Sequence, residues 1–262
     1  MPTDDLVLVE VADEVATVTL NRPDARNALN RALRKALPTT LAEVDRRDDV
    51  AAIVLTGADP AFCAGLDLKE IAASGEAPGA TPDTSQPEHA RGPFPAMTKP
   101  VIGAINGVAI TGGFEIALAC DFLVASERAR FADTHARVGI MPGWGLTVLL
   151  PEAIGFRRAR EMSSTGNFLD AATALTWGLV NHVVPHEELL AFAQGLARDV
   201  ASVPRPAVAR MMATYDEGSL RDGAGAWALE AEVSSAWMQR GLDPAEFEKT
   251  RQAVVARGRT QV

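Results

Sequence analysis

The sequence predicts an α/β layered fold, and three observations carry that prediction. Apolar runs of strand length recur at Ala51–Thr56, Val101–Ile105 and Asp121–Ala125. Helical segments alternate with these runs, and repeated strand–helix alternation favours layers of helix on sheet. Pro60–Glu70 places small residues and a glycine between a strand and a helix, and a glycine pair, Gly112-Gly113, leads into another helix. A chain of 262 residues with 47% hydrophobic and 23% charged residues can bury a substantial core, as one large or two smaller units.

The elements follow in order. Leu6–Leu20 alternates apolar and polar residues, with Asp13-Glu14 as the turn of a first hairpin. Asn21-Arg22-Pro23 ends the strand. Asn27 is expected to cap a helix with an apolar face at Leu29, Leu33, Leu37 and Leu41, and Pro38 to kink or interrupt it. Residues 74–95 are rich in Pro, Gly and small polar residues and read as a long loop rather than a domain boundary. The strand after Lys99-Pro100 meets a turn at Asn106-Gly107, then Gly112-Gly113 opens a small apolar helix through Cys120. A strand at 121–125 and a short one at Arg130-Phe131 come next. From Pro142 onward the pattern is helical, with stripes at Leu189, Phe192, Ala193, Leu196 and Val200, then at Leu229, Val233 and Trp237, and a last helix at Phe247. Helices this apolar pack on something beyond their own chain. The sequence contains no internal repeat.

Charge and cysteine usage narrow the functional classes. The net charge is −9 with no dominant basic cluster, which argues against nucleic acid as a principal partner. A local positive patch for an anionic cofactor stays compatible with it. Two cysteines, Cys63 and Cys120, suit a reducing cytoplasm rather than a disulfide framework. Residues 1–20 show no signal pattern, and no apolar run approaches the roughly 20 residues that span a bilayer. The expectation is a cytoplasmic protein without membrane partners.

Candidate chemistry gathers at Lys99–Asp121. Glu115 lies in the first turn of an otherwise oily helix, where a hidden acid is either paired or employed. The N–H groups of a helix start lack intrahelical partners, and Gly112 lets a ligand approach that backbone. Pro60–Glu70 forms a second junction of small residues, and backbone donors from two such junctions can make an oxyanion hole. A tight turn with Glu115 as an N-terminal charge is the structural alternative. His182 and His186 are four apart, but Pro185 argues against the helix that would align them on a metal.

AFCAGLDLKE and KPVIGAINGVAITGGFEIALACD resemble the signatures of the enoyl-CoA hydratase/isomerase (crotonase) superfamily. NRPDARNALN and FADTHARVGIMPGWG fit the same family in order and spacing, so the resemblance covers nearly the whole chain. It implies a spiral of ββα turns over residues 1–190 holding an acyl-CoA site. Residues 191–262 become a C-terminal helical region that builds homotrimers, often paired into homohexamers. The N–H groups of Leu66 and Gly112 match the oxyanion donors, and Glu115 matches the first catalytic carboxylate, a general base. His135 stands where the second glutamate is expected, with Asp133 a weaker substitute. A histidine can serve as acid or base, and one titrating near ~6.5 would place a rate limb around neutrality, moved by whatever Glu115 and burial do.

For coenzyme A the resemblance points to Arg26, Ala64, Leu66, Asp67 and Leu68, with Arg22 and Lys69 as phosphate contacts or surface ion pairs. Cys63 packs beside the site or acts as a thioesterase nucleophile, and Trp144 narrows the acyl pocket or fills the core. The thioester is the substrate, and neither a tightly bound cofactor nor a metal is expected. The implied activity is hydration of 2-enoyl-CoA. An enoyl-CoA isomerase, another enolate-forming lyase and a non-catalytic CoA-binding subunit are the alternatives.

Overall fold

The computed structural model describes residues 6–74 and 92–238. Most of the expected 74–95 loop, and the helix expected at Phe247, lie outside them. β1 (Val7–Ala12) and β2 (Val15–Leu20) form the expected antiparallel hairpin. Asp13 and Glu14 take positive φ values of 50° and 61°, as a two-residue turn between twisted strands requires.

The first helix departs from the sequence expectation twice. α1 (Arg31–Asp45) is capped by Asn30, whose side chain accepts from Leu33 N–H at 2.8 Å. Asn27 is instead wholly buried at positive φ, and its amide donates to Ala58 O and Ala61 O. α1 also runs unbroken through Pro38. Leu33, Leu37 and Leu41 are all buried, so packing on both sides of the proline offsets the lost backbone bond.

The chain continues through β3 (Ala52–Gly57), α2 (Leu68–Ser74), β4 (Val101–Ile105), β5 (Val108–Ile110), α3 (Gly112–Ala119), β6 (Phe122–Ser126) and β7 (Arg130–Ala132). α4 (His135–Val138), α5 (Leu146–Ile154), α6 (Phe156–Thr165), β8 (Leu169–Asp170), α7 (Ala171–Trp177) and β9 (His182–Val184) follow. The region after Pro142 is therefore not wholly helical. β9 is too short and too near Pro185 to read as a strand, yet it pairs with β6 through Val124↔His182.

Two sheets result. The larger has the order β1-β2-β3-β4-β6-β9, parallel from β2 onward; the smaller has the order β5-β7-β8, with β5 and β7 parallel. Each of β4 and β6 is followed by a short strand in the smaller sheet and then a helix. Isolated bridges repeat the pattern earlier: Cys63 pairs with Ala109 after β3, and Leu29 with Leu66 after β2. The chain thus winds as a spiral of ββα turns, the crotonase fold.

The larger sheet is covered on both faces, so its parallel strands read as continuous apolar runs. Side chains alternate between the faces. Ile53 and Leu55 of β3 join the main core with Leu33, Leu37 and Leu41. Ala52 and Val54 face a second cluster with Leu189, Ala193 and Ala197 of α8 (Leu189–Ala201). The chain divides into compact units after Arg210, and the α8 stripe packs on this sheet within the first of them. α9 (Arg205–Ser219) crosses that division, and α10 (Gly223–Met238) buries Leu229.

Candidate active site

The smaller sheet assembles the site. β5 and β7 are parallel neighbours in the register Val108↔Arg130 to Ile110↔Ala132, so both chains leave the sheet at the same edge. Thr111, leaving β5, donates its N–H to Ala132 O at 3.0 Å, and its hydroxyl meets that of Thr134 at 2.7 Å. These bonds lock the start of α3 beside the start of α4. Cys63 extends the same sheet: its N–H donates to Val108 O, and its carbonyl accepts from Ile110 N–H. The segment Ala64–Leu66 therefore emerges at that edge too. In open α/β sheets, ligands bind at the carboxyl ends of parallel strands.

Glycine makes the close approach possible. Gly65 has φ +85°, and a Cβ on it would stand 2.6 Å from Ile110 O. A Cβ on Gly113 would collide with Cys63 O. The two junctions singled out in the sequence are thus pressed together, as expected. Leu29 spends its N–H on Gly65 O and its carbonyl on Asp67 N–H. Peptide groups alternate along an extended segment, so the Leu66 N–H points away from Leu29. Among the described residues neither Leu66 N–H nor Gly112 N–H has a backbone acceptor.

Glu115 and His135 are each only 3% exposed, and they face one another. Glu115 Oε1 accepts from Trp144 N–H at 2.7 Å, and its Oε2 lies 3.5 Å from His135 Nε2. The other ring nitrogen, Nδ1, is 2.7 Å from Asp133 Oδ1. Asp133, also 3% exposed, accepts from His135 N–H at 3.1 Å as well. Each imidazole nitrogen faces a carboxylate oxygen, an arrangement that is satisfied when both carry protons. Burial works against the charged ring, but the contacts with Asp133 and Glu115 outweigh it and raise the His135 pKa to about 9. Burial likewise opposes the charge on Asp133, and its bonds to His135, with Ser163 acting in the same direction, still hold its pKa below the usual carboxylate value. The imidazole therefore titrates above the ~6.5 of an unperturbed histidine. Asp133 is the imidazole's partner rather than a substitute for it. Its role was hidden because no local pattern reveals which way a side chain two residues away will turn.

The remaining candidates separate. Arg22 donates to Ala28 O and pairs with Asp67 Oδ2 at 3.1 Å, so its charge is committed to the fold instead of a phosphate. Asp67 is held by that pair, whereas Arg26, Leu68 and Lys69 are exposed and Ala64 and Leu66 are partly buried. Ala64 N–H donates to Arg26 O at 3.0 Å. Cys63 is buried, its thiol bonded to Asn27 O, and burial pushes its pKa up to about 12, which removes it as a nucleophile. His182 packs edge-on against Phe192, while His186 links Ser126 to Asp59. Trp144 does two things: its N–H holds Glu115, and its ring carbon Cζ3 lies 3.5 Å from where a Cβ on Gly112 would stand. The backbone part of that role carries no side-chain signature, so the sequence could not announce it.

Fold and site together define an enzyme of spiral ββα architecture, with a buried acid–imidazole centre beside paired glycine junctions. A family profile described as enoyl-CoA hydratase/isomerase matches residues 10–254. A probable peroxisomal enoyl-CoA hydratase 1 of Arabidopsis thaliana is 38% identical, over 96% of this chain and 94% of that protein. A short-chain-enoyl-CoA hydratase of Clostridium acetobutylicum is 36% identical over 87% of each chain. The crystal structure of an enoyl-CoA hydratase from Mycobacterium tuberculosis H37Rv is 47% identical, with a TM-score of 0.74 over 88% of this chain and 98% of that one. The chain belongs to the enoyl-CoA hydratase/isomerase family.

Proposed function

We propose that this chain adds water across the C2=C3 bond of a 2-enoyl-CoA thioester. The observation that carries the reading is the face-to-face placement of buried Glu115 and His135, 3.5 Å apart. In this reading the thioester oxygen accepts from Leu66 N–H and Gly112 N–H, which stabilise the enolate. Glu115 takes a proton from water as the water oxygen bonds to C3 and the π electrons move toward C2 and the carbonyl. His135 gives its Nε2 proton to C2, and the enolate collapses to the thioester. The proton on Glu115 then passes to the neutral imidazole, restoring both groups. One water proton ends on the new hydroxyl and the other replaces the one given to C2, so the cycle closes without a metal or bound cofactor.

Arg26, Ala64, Leu66, Asp67 and Leu68 are the proposed coenzyme A contacts, all at or near the Ala64–Leu66 junction. A homotrimer or homohexamer is proposed for the assembly, supported by the exposure of Met211, Tyr215, Leu220 and Trp227. Cytoplasmic residence rests on the two unpaired cysteines; among the described residues no helix is long and apolar enough to cross a membrane. Turnover of 2-enoyl-, 3-enoyl- and 3-hydroxyacyl-CoA thioesters, followed by mass detection, tests the activity. Hydration of 2-enoyl-CoA is the expected result. Conversion of 3-enoyl-CoA alone would make the chain an isomerase, and binding without turnover would make it a CoA-binding subunit.

A further inference from the structure

We propose that Asp133 is a positioning residue for His135: it fixes the imidazole by Nδ1 and keeps it cationic, so that Nε2–H is the proton presented toward Glu115. The inference rests on the hydration reading of the site and names what makes a histidine able to stand there.

Geometry carries it. The Asp133 carboxylate accepts twice from the same residue, from His135 N–H at 3.1 Å and from Nδ1 at 2.7 Å. The first bond fixes the carboxylate against the start of α4, and the second fixes the ring. All three ionisable groups are 3% exposed, so no bulk water competes for either ring nitrogen. The charged groups facing His135 are Asp133, from the chain leaving β7, and Glu115, from α3. Arg137, the other basic residue of α4, donates to Thr165 O, so its charge is spent elsewhere.

A neutral imidazole has one N–H and one lone pair. Without Asp133 the single proton could sit on Nδ1, leaving Nε2 as an acceptor aimed at the carboxylate of Glu115. That state repels Glu115 and has no proton for C2. With Asp133 present, the cation satisfies both carboxylates at once, and the cluster of two carboxylates and one imidazolium carries a single net negative charge. A pair of carboxylates sharing one proton carries the same net charge. The Asp133–His135 unit therefore does the work of one protonated carboxyl group, with the proton held on nitrogen.

Two measurements test this and keep it separate from the hydration reading. In the native protein, ¹⁵N spectra of the imidazole, assigned with His135→Gln, should show both ring nitrogens of His135 protonated at pH 7.5, with titration near 9. A neutral His135 at pH 7.5 would overturn the proposal without any variant having to fold. In Asp133→Asn, once its thermal unfolding shows an intact protein, the same titration should move down toward 6.5. Its kcat should fall about 10²-fold with KM little changed, and the alkaline limb of kcat should move down with the spectrum. An Asp133→Asn protein with the native titration and pH profile would overturn it. If the spectra behave as stated but no thioester is hydrated, the hydration reading fails and the charge assignment stands.

Discussion

Exchanging Glu115 for Gln preserves the shape of the side chain and the oxygen that accepts from Trp144 N–H, while removing the basic oxygen that faces His135. The expected outcome is a kcat lower by about 10²–10⁴, the usual range for a positioned acid or base, with acyl-CoA affinity within about threefold. An undiminished kcat would remove Glu115 from the chemistry. His135 predicts a pH profile. In the proposed mechanism the cation is the donor, so kcat should hold through neutrality and fall as pH rises through about 9. His135→Ala should slow hydration by a comparable factor and abolish that limb. The same shift has a consequence for stability. The folded pKa lies above the unfolded value of about 6.5, so the contribution is complete below about 6.5. It is lost as pH rises through about 9. The melting temperature of the native protein should therefore decline between these values more than that of His135→Gln. Parallel declines would mean that the imidazole carries no extra proton in the fold.

The two asparagines near the start of α1 look interchangeable in sequence and are not. Asn30 accepts from one N–H, Leu33, at a half-buried helix start. Asn30→Ala should cost about 1 kcal/mol, the usual value of an N-cap. Asn27, wholly buried, donates to two carbonyls, Ala58 O and Ala61 O, and accepts from Arg22 N–H. Asn27→Ala would strip three backbone groups of their partners at about 1–3 kcal/mol each where water cannot replace them. Urea unfolding should rank Asn27→Ala well below Asn30→Ala, and the reverse order would mean that solvent reaches the Asn27 site. Local sequence pattern does not separate them, because a cap motif fits both residues. Longer apolar runs are legible as strands, because β3, β4 and β6 are buried on both faces and must be continuous. β9 is illegible for the opposite reason: its three residues have no period of their own and form a strand only because β6 offers them an edge. In the site, Glu115 and His135 stood out by type and position. The Asp133 contact and the Trp144 N–H depend on how the chain folds back, which no local pattern encodes.

The spiral itself left no repeat in the sequence, because each turn fills its short-strand position differently. Residues of β5 and β7 make full pairings there, whereas Leu29 and Cys63 make single bridges. Backbone geometry is repeated and side chains are not, so the winding came from family resemblance rather than from periodicity. Cys63 lies where successive turns press together. Its thiol donates to Asn27 O, its N–H bonds to Val108 O, its carbonyl accepts from Ile110 N–H, and Gly113 stands against that same carbonyl. Three turns would have to separate before a reagent could reach the sulfur. The thiol is also protonated at neutral pH, with a pKa pushed to about 12 by burial. Cys120, buried in the same core, is raised in the same direction. Labelling by an aromatic disulfide reagent should therefore be very slow in native buffer. Its rate for Cys63 should climb with urea along the slope of global unfolding, since only the open chain exposes the sulfur. Cys120→Ser leaves one thiol to follow. Fast labelling of Cys63 in native buffer, or a rate indifferent to urea, would show that the turns part locally, and the junction holding Leu66 and Gly112 would then be a loose one.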